Sequence, residues 1–465
     1  QFTDEQYRAV YTHGHNLIVT AGAGSGKTRV LVERYLALLD DNPDWPLPSV
    51  VAITFTEKAA REMRDRVREA IEKRIAEAVE QGDQDALERW LAHQAALNGA
   101  RIGTIHSLCG QLLRANAAEA RIDPAFEMLD EVEAGILLYD AVDEALAALT
   151  REGHPAALLL REYSVETVRA VLRTYAGQRG ALERLGGTAE EYRAYWESLW
   201  REAVQAIIPV VQNDRDLKAA LNFVPPQDLP PGDKLTPVWQ IVHQHRARLD
   251  RSDPETFMAA VEALAAGIVL TGGTQKNWGG AEGLAACKDA LRLIRETLKG
   301  VLAEVGARPG ELDDQAAWLL ELWQAAIIRA AALYDEFKRA RNALDFEDLE
   351  AGAYALLRDH PAVRARYAGE FRQVLVDEFQ DTNDAQRAIV YALAGAEDRA
   401  GDGRLFVVGD PKQSIYAFRG ADVSVFGRVH DDFLAWGGQA LPLTTSFRTH
   451  AGLVGAFNQL FETLL

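Results

Sequence analysis

Six short, almost unbroken apolar stretches lie near the two ends of the chain. They are NLIVTA (16–21), SVVAITF (49–55), RIGTIH (101–106), QVLVDE (373–378), RLFVVGD (404–410) and ALPLTTS (440–446). A half-buried strand alternates apolar and polar positions, whereas a continuous apolar run suits a parallel sheet covered on both faces. Between residues 108 and 340 the period changes. Leu138, Val142, Leu146 and Leu149 recur at helical spacing, as do Leu319, Leu322, Trp323, Ala326, Ala330, Leu333, Tyr334 and Phe337. Such stripes predict core-facing helices rather than a cofactor box. The breaker-rich segments VPPQDLPPGDKLTP (224–237) and TGGTQKNWGG (271–280) predict loops within this region. The pattern is that of an α/β protein. One parallel-sheet domain, residues 1–107 and 345–465, is expected to be split by a helical insertion at 108–344.

At 465 residues the chain exceeds one ordinary core, so two or three domains are expected. Its hydrophobic fraction of 48% and charged fraction of 26% fit a soluble globular protein. No signal peptide is found and no apolar run is read as long enough to cross a bilayer. Cys109 and Cys287 are the two cysteines; they are too few for a disulfide framework, and a reducing, cytoplasmic setting is expected. A net charge of −19 argues against nonspecific coating of nucleic acid. It leaves room for a local basic groove, because affinity depends on where the cations sit. The chain starts at Gln1 with motif-like sequence and stops just after another motif; a portion of a longer protein is expected.

Candidate chemistry starts where the first apolar run ends. AGAGSGKT (21–28) meets the phosphate-loop pattern G-x-x-x-x-G-K-[ST] with alanine in the first place. Glycines let backbone N–H groups turn inward on phosphate oxygens, and the following helix adds its positive end. Ala21, Gly22, Ala23, Gly24, Ser25, Gly26, Lys27, Thr28 and Arg29 are the candidate nucleotide contacts. Lys27 is suited to the β and γ phosphates and Thr28 to Mg²⁺. VLVDEFQDT (374–382) ends another apolar run in two carboxylates. Asp377 is suited to holding Mg²⁺ and Glu378 to acting as the base that orients an attacking water. Alone, the first stretch could be a glycine-rich turn and the second a helix cap. Together they read as an NTPase-type core.

A series of motifs in order then resembles the UvrD/Rep-like superfamily 1 DNA helicases, particularly the AddA/RecB branch. FTDEQYRAV (2–10) is similar to the Q motif of that family, and AGAGSGKT follows it. Next come AITFTEKAAREMRDRV (52–67), TIHSLC (104–109), LDFEDL (344–349) and VLVDEFQDTNDAQ (374–386). VVGDPKQSIYAFRGAD (407–422) and LTTSFRTH (443–450) complete the series. The resemblance covers a first RecA-like domain, of P-loop NTPase type, with its helical insertion. Ala417 departs from AddA-type members, which often carry arginine there, and leans the match towards RecB. The resemblance implies an ATP- and Mg²⁺-dependent 3′–5′ DNA helicase, or helicase–nuclease, of recombination and repair. This chain would be its N-terminal motor portion, with little or no unwinding activity by itself. The implied partners are single-stranded DNA, duplex ends and a partner subunit; no membrane is implied.

The resemblance also implies residue roles. Gln6 has an amide able to pair with adenine, although by itself it reads as a solvated helix residue. Phe447 offers a face for the base and Arg448 a cation for the γ-phosphate. Gln413 would sense that phosphate and report it to Tyr416, Phe418 and Arg419. Aromatic faces stack on bases without regard to sequence, as a motor on any strand requires; ordinary core packing is the alternative for both rings. Phe55 is a second stacking candidate, and Thr54, Thr104 and His106 are candidates for the DNA backbone. The helix at 56–74 carries seven Lys/Arg against five Asp/Glu and reads as a solvated, salt-bridged face. Two other functions stay open: a nucleotide-binding DNA-interaction module without competent ATPase activity, and an ATPase acting on protein or small molecules.

Overall fold

All six apolar runs become strands of one sheet. A computed structural model describes residues 2–178, 182, 186–225, 232–396, 402–415, 421–448 and 450–464. The strands are β1 (Leu17–Ala21), β2 (Val50–Thr54), β3 (Ile102–Thr104), β6 (Gln373–Val376), β7 (Leu405–Gly409) and β8 (Gln439–Leu443). Two-residue strands β4 (Glu127–Met128) and β5 (Ala343–Leu344) pair separately. The main sheet runs β3-β2-β6-β7-β1-β8 and every neighbouring pair is parallel.

The pleat divides the inner strands β1, β2, β6 and β7 between two cores, since successive side chains point to opposite faces, whereas the edge strands β3 and β8 supply Ile102, Leu441 and Leu443 to one of them. Ile18, Val51, Ile53, Val374, Val376, Leu405 and Val407 enter one cluster. Leu17, Val19, Val50, Ala52, Leu375, Phe406 and Val408 enter the other. Burial on both faces is why the runs are continuous rather than alternating. Helices α1 (Asp4–Tyr11), α2 (Lys27–Asp41), α3 (Glu57–Gln81) and α4 (Gln84–Ala95) supply side chains such as Val10, Leu31, Met63 and Trp90 to the second cluster. Helix α5 (Ile105–Ala115) supplies Leu108, Cys109 and Leu112 to the first.

The chain divides into two units, residues 1–139 with 334–465, and residues 140–333. The sheet-bearing unit thus reaches Tyr139 and resumes at Tyr334. The second unit is helical and has its own core, in which Trp239, Phe257, Leu264, Leu291 and Ile294 are buried. There the Trp239 indole N–H donates to the Cys287 sulfur at 3.2 Å. Val142, Leu146 and Leu149 are buried, as are Leu322, Ala326, Ala330 and Tyr334, while Leu138, Leu319, Trp323, Leu333 and Phe337 are half-buried.

One helix bears on the membrane expectation without overturning it. Helix Glu311–Ala340 is long enough to cross a membrane, and its most apolar 18 residues have a mean hydropathy of 1.3. Glu321 and Arg329 interrupt its apolar positions, so no unbroken apolar run marks it in the sequence. Both have protein partners: Glu321 accepts from the Ala189 N–H and Arg329 pairs with Glu152. Length and composition alone are weak grounds for a span.

Candidate functional site

In a parallel sheet the strands' C-terminal ends share one edge, and ligands of open α/β sheets bind in the crevice there. The segments carrying the candidate chemistry leave that edge. The glycine loop follows β1, Phe55 follows β2, His106 follows β3, Asp377 and Glu378 follow β6, Gln413 follows β7, and Phe447 and Arg448 follow β8.

The loop itself is built on left-handed backbone. Gly24 has φ +76° and Gly26 φ +85°, conformations that cost an L side chain strain. The Ser25 hydroxyl donates to the Gly22 carbonyl at 2.8 Å and closes the turn. Gly26 caps the N-terminus of α2, whose first residues are Lys27 and Thr28. Lys27 Nζ donates to Glu378 Oε2 at 2.8 Å, across 351 positions of sequence. The two halves of the expected phosphate site therefore meet, and the lysine rests on the candidate base. Arg29 lies over the Phe2 ring, with its guanidinium carbon 4.4 Å from the centroid.

Asp377 and Glu378 stand in contrasting settings. Burial and the neighbouring Glu378 charge push the Asp377 carboxyl up to about 6, against the pull of Lys27 and of the Glu378 backbone N–H. A buried carboxyl raised in this way gains from a bound cation. Glu378 is one of three described non-glycine residues with positive φ, at +50°. That backbone turns its side chain toward Lys27, and it is sparsely populated for an L residue.

Gln6 differs from its solvated reading: it is 2% exposed. Its oxygen accepts from the Thr3 N–H at 3.1 Å in a capping box, and its Nε2 donates to the Ser25 carbonyl at 2.8 Å. The amide keeps one N–H and one lone pair for a further partner. On the other side, the Phe447 N–H donates to the Gly24 carbonyl at 2.8 Å and the Ser446 hydroxyl to the Ala23 carbonyl at 3.0 Å. A Cβ added at Gly24 would collide with Cβ of Arg448. Arg448 and Phe447 are exposed beside the loop, the latter at 62%.

The candidate DNA residues fall into three groups. Thr54 and Thr104 are buried with engaged hydroxyls. Thr54 donates to the Thr56 carbonyl at 3.2 Å; Thr104 donates to Glu57 at 2.8 Å and caps α5 through the Ser107 N–H. Phe55 and His106 are half-buried. His106 Nε2 meets Glu350 Oε1 at 2.7 Å and its ring stacks on Phe346. Tyr416, Phe418 and Arg419, with Ala417, lie outside the described residues. Helix α3 carries the ion pairs Lys58–Glu62, Arg68–Asp65 and Lys73–Glu77 on its exposed face, as a solvated face should.

The description "UvrD/REP helicase N-terminal domain" matches residues 2–434. The chain belongs to this family. Among curated relatives it is 30% identical over 494 residues to an ATP-dependent helicase/nuclease subunit from Exiguobacterium sibiricum, covering 100% of this chain and 40% of the relative. The protein of the same name from Pelotomaculum thermopropionicum is 32% identical over 531 residues, with 100% and 38% covered. That of Natranaerobius thermophilus is 28% identical over 511 residues, with 100% and 38% covered. The chain spans about two-fifths of the length of these relatives. All three are helicase/nuclease subunits of the AddA type, so the lean towards RecB drawn from Ala417 is not matched among them.

For this UvrD/REP-family chain, sequence reasoning missed several polar residues around the site. Glu5 accepts from the Thr444 N–H and hydroxyl, both at 2.8 Å, and ties α1 to the end of β8. Arg34 is fully buried and donates to the carbonyls of Ala9 and Thr12 at 2.8 and 2.9 Å, holding the C-terminal end of α1. Its guanidinium lies over Phe406, and burial pushes it down to about 9. Glu350 is buried and accepts from His106, from Asn383 at 3.0 Å and from Gln386 at 2.5 Å. Burial works to raise its carboxyl; the His106 hydrogen bond and charge and the two amides outweigh that and hold it below the usual range. Gln380 and Asp410 link the ends of β6 and β7. A signal for these was present only as polar letters inside apolar neighbourhoods.

Proposed function

We propose that this chain is the N-terminal motor portion of an ATP-dependent 3′–5′ DNA helicase, or helicase–nuclease, of recombination and repair. Its sheet-bearing unit is a RecA-like P-loop NTPase domain, divided in sequence by the helical insertion. The observation that carries the reading is the contact of Lys27 with Glu378, which joins the glycine loop to the acidic segment after β6. A glycine-rich turn or a helix cap arising by chance has no reason to bring these two together at one strand edge.

The residues present fit a nucleotide and its metal ion. Left-handed glycines leave the loop's backbone open to phosphate oxygens. Thr28 and Asp377 would hold Mg²⁺, whose chemistry there is to neutralise charge on the phosphate oxygens. Lys27 leaves Glu378 for the phosphates, and the freed carboxylate orients water and takes its proton. Gln6 and Phe447 hold the adenine, Arg448 meets the γ-phosphate, and Gln413 senses it. Phe55 and His106 are assigned to single-stranded DNA, as the resemblance assigns Tyr416, Phe418 and Arg419, and the buried Thr54 and Thr104 support the turns that carry Phe55 and His106. The relatives' name, that of one subunit of a helicase/nuclease, supports a partner subunit, and the role supports a cytoplasmic setting.

The test is ATP turnover by the full-length protein with and without single-stranded DNA. Strong stimulation by DNA is expected; turnover indifferent to DNA would overturn the helicase reading.

A further inference from the structure

One buried side chain near the site has no part in the mechanism above. Gln380 is 2% exposed and lies between the ends of β6 and β7. Its Nε2 donates to Glu378 Oε2 at 3.0 Å and to Asp381 Oδ2 at 2.9 Å. Its Oε1 accepts from the Asp410 N–H at 2.9 Å. The network fixes the orientation of the amide, because a backbone N–H can only donate and ionised carboxylates can only accept. Asp410 passes the connection on: its Oδ2 accepts from Gln413 Nε2 at 2.6 Å and its Oδ1 from the Lys412 N–H at 3.1 Å. A second observation shows that the fold makes room for this amide. A Cβ at Gly409 would come within 2.7 Å of both Gln380 Oε1 and the Phe426 ring, so a side chain at the last residue of β7 would displace the amide or the ring. The Gln380 carbonyl also accepts from the Ser414 hydroxyl at 3.2 Å, just before the segment holding Tyr416, Phe418 and Arg419.

We infer that Gln380 is a positioning residue that couples the hydrolytic carboxylate to the Asp410–Gln413 segment. The inference rests on the roles proposed above for Glu378 and Gln413. Glu378 Oε2 is shared by Lys27 and Gln380. When phosphates draw Lys27 away, Gln380 remains as the partner of that oxygen. A primary amide is planar and rigid, so a turn of Glu378 toward water moves Oε1 against the Asp410 N–H. The reverse also holds. A DNA-driven shift of residues after Gln413 re-aims the base. Coupling of this kind is reciprocal for binding and needs two arrangements of one connected element.

The experiment uses the full-length protein and compares Gln380→Met, which keeps the length and removes both polar ends, with Gln380→Glu. The second keeps an acceptor for Asp410 but sets a like charge against Glu378. The KM for ATP is expected to move less than about twofold, while DNA-stimulated kcat falls about tenfold or more and further than basal kcat. Combined with Gln413→Ala, Gln380→Met should lose little more than either change alone, because residues in one network are not additive. Undiminished stimulation in Gln380→Met, or losses that add with Gln413→Ala, would show that the amide merely packs. Where Gln380→Met melts early, Gln380→Asn, one methylene short with both polar ends kept, carries the same comparison. Absence of DNA stimulation in the unaltered protein would remove the functional reading itself, and this inference with it.

Discussion

Replacing Glu378 with glutamine should separate grip from turnover, and in an unobvious direction. Lys27 Nζ lies 2.8 Å from Glu378 Oε2, with side chains 11% and 34% exposed. Nucleotide has to displace this pair. At an effective dielectric near 20, Coulomb attraction at that separation is about 6 kcal/mol, an upper bound before desolvation. Partial exposure of the carboxylate and the cost of ordering two side chains reduce the net worth of such a pair to about 1 kcal/mol. Glutamine can still accept from Lys27 but carries no charge, so roughly 1 kcal/mol of competition disappears, or about fivefold in affinity. Removing a carboxylate that faces phosphates acts in the same direction. Glu378→Gln should therefore bind a non-hydrolysable ATP analogue about fivefold more tightly, while turnover falls about 10²–10⁴-fold as the base is lost. Equilibrium titration with the analogue, beside steady-state turnover, measures both. Equal or weaker binding would show that Lys27 is not held back by Glu378, and normal turnover would exclude Glu378 as the base.

Three further outcomes follow from named contacts. Gly24→Ala places a Cβ on a φ of +76° and against Cβ of Arg448; nucleotide affinity should fall about tenfold or more, at a cost of ~1–3 kcal/mol, and an unchanged titration would refute the close approach. Arg34→Met strands carbonyls of Ala9 and Thr12 at the end of α1; stability in urea should fall by about 2 kcal/mol, and a rise would mean that the buried cation costs more than it holds. Glu350 has a folded-state carboxyl below its ordinary 4.5, so its contribution is present above that value and is lost as pH falls through the lower folded one. Glu350→Gln should flatten the acid limb of a melting-temperature profile; an unaltered acid limb would refute this.

The sheet was legible because burial on both faces writes a continuous apolar run for each inner strand, while the edge strand β8 buries only Leu441 and Leu443. Ends were less so: RIGTIH reads as six residues, but pairing stops at Thr104 because its hydroxyl caps α5. Lys27 and Glu378 could be matched from residue type alone, whereas their direct contact could not, since a separation of 351 positions carries no register. Gln6 reads as solvated because a short amphipathic helix with Asp4 and Glu5 beside it resembles a surface helix. The loop that covers Gln6 starts only at Ala21. Gln380 and Glu350 stayed silent for a related reason. An amide or carboxylate within a helix-like or turn-like stretch looks solvated until the partners from other strands arrive. Helical stripes showed which faces are buried but not against what, so α5 to Tyr139 was assigned to the insertion rather than beneath the sheet.

The strand order also sets a schedule. Strand β1, which carries the glycine loop, pairs with β7 on one side and β8 on the other, whereas β2 and β3 pair with each other early in the chain. The Asn16 side chain at the foot of β1 bonds to the Leu405 N–H, 389 positions later. At 5–20 residues per second a growing chain waits roughly 20–80 s between making these two partners. Through that interval both edges of β1 are open, although α1 and α2 are already made to cover one of its faces. The glycine loop, encoded first, is thus among the last parts of the sheet-bearing unit to gain its neighbours, and the proposed triphosphate site would be completed only once β8 is made.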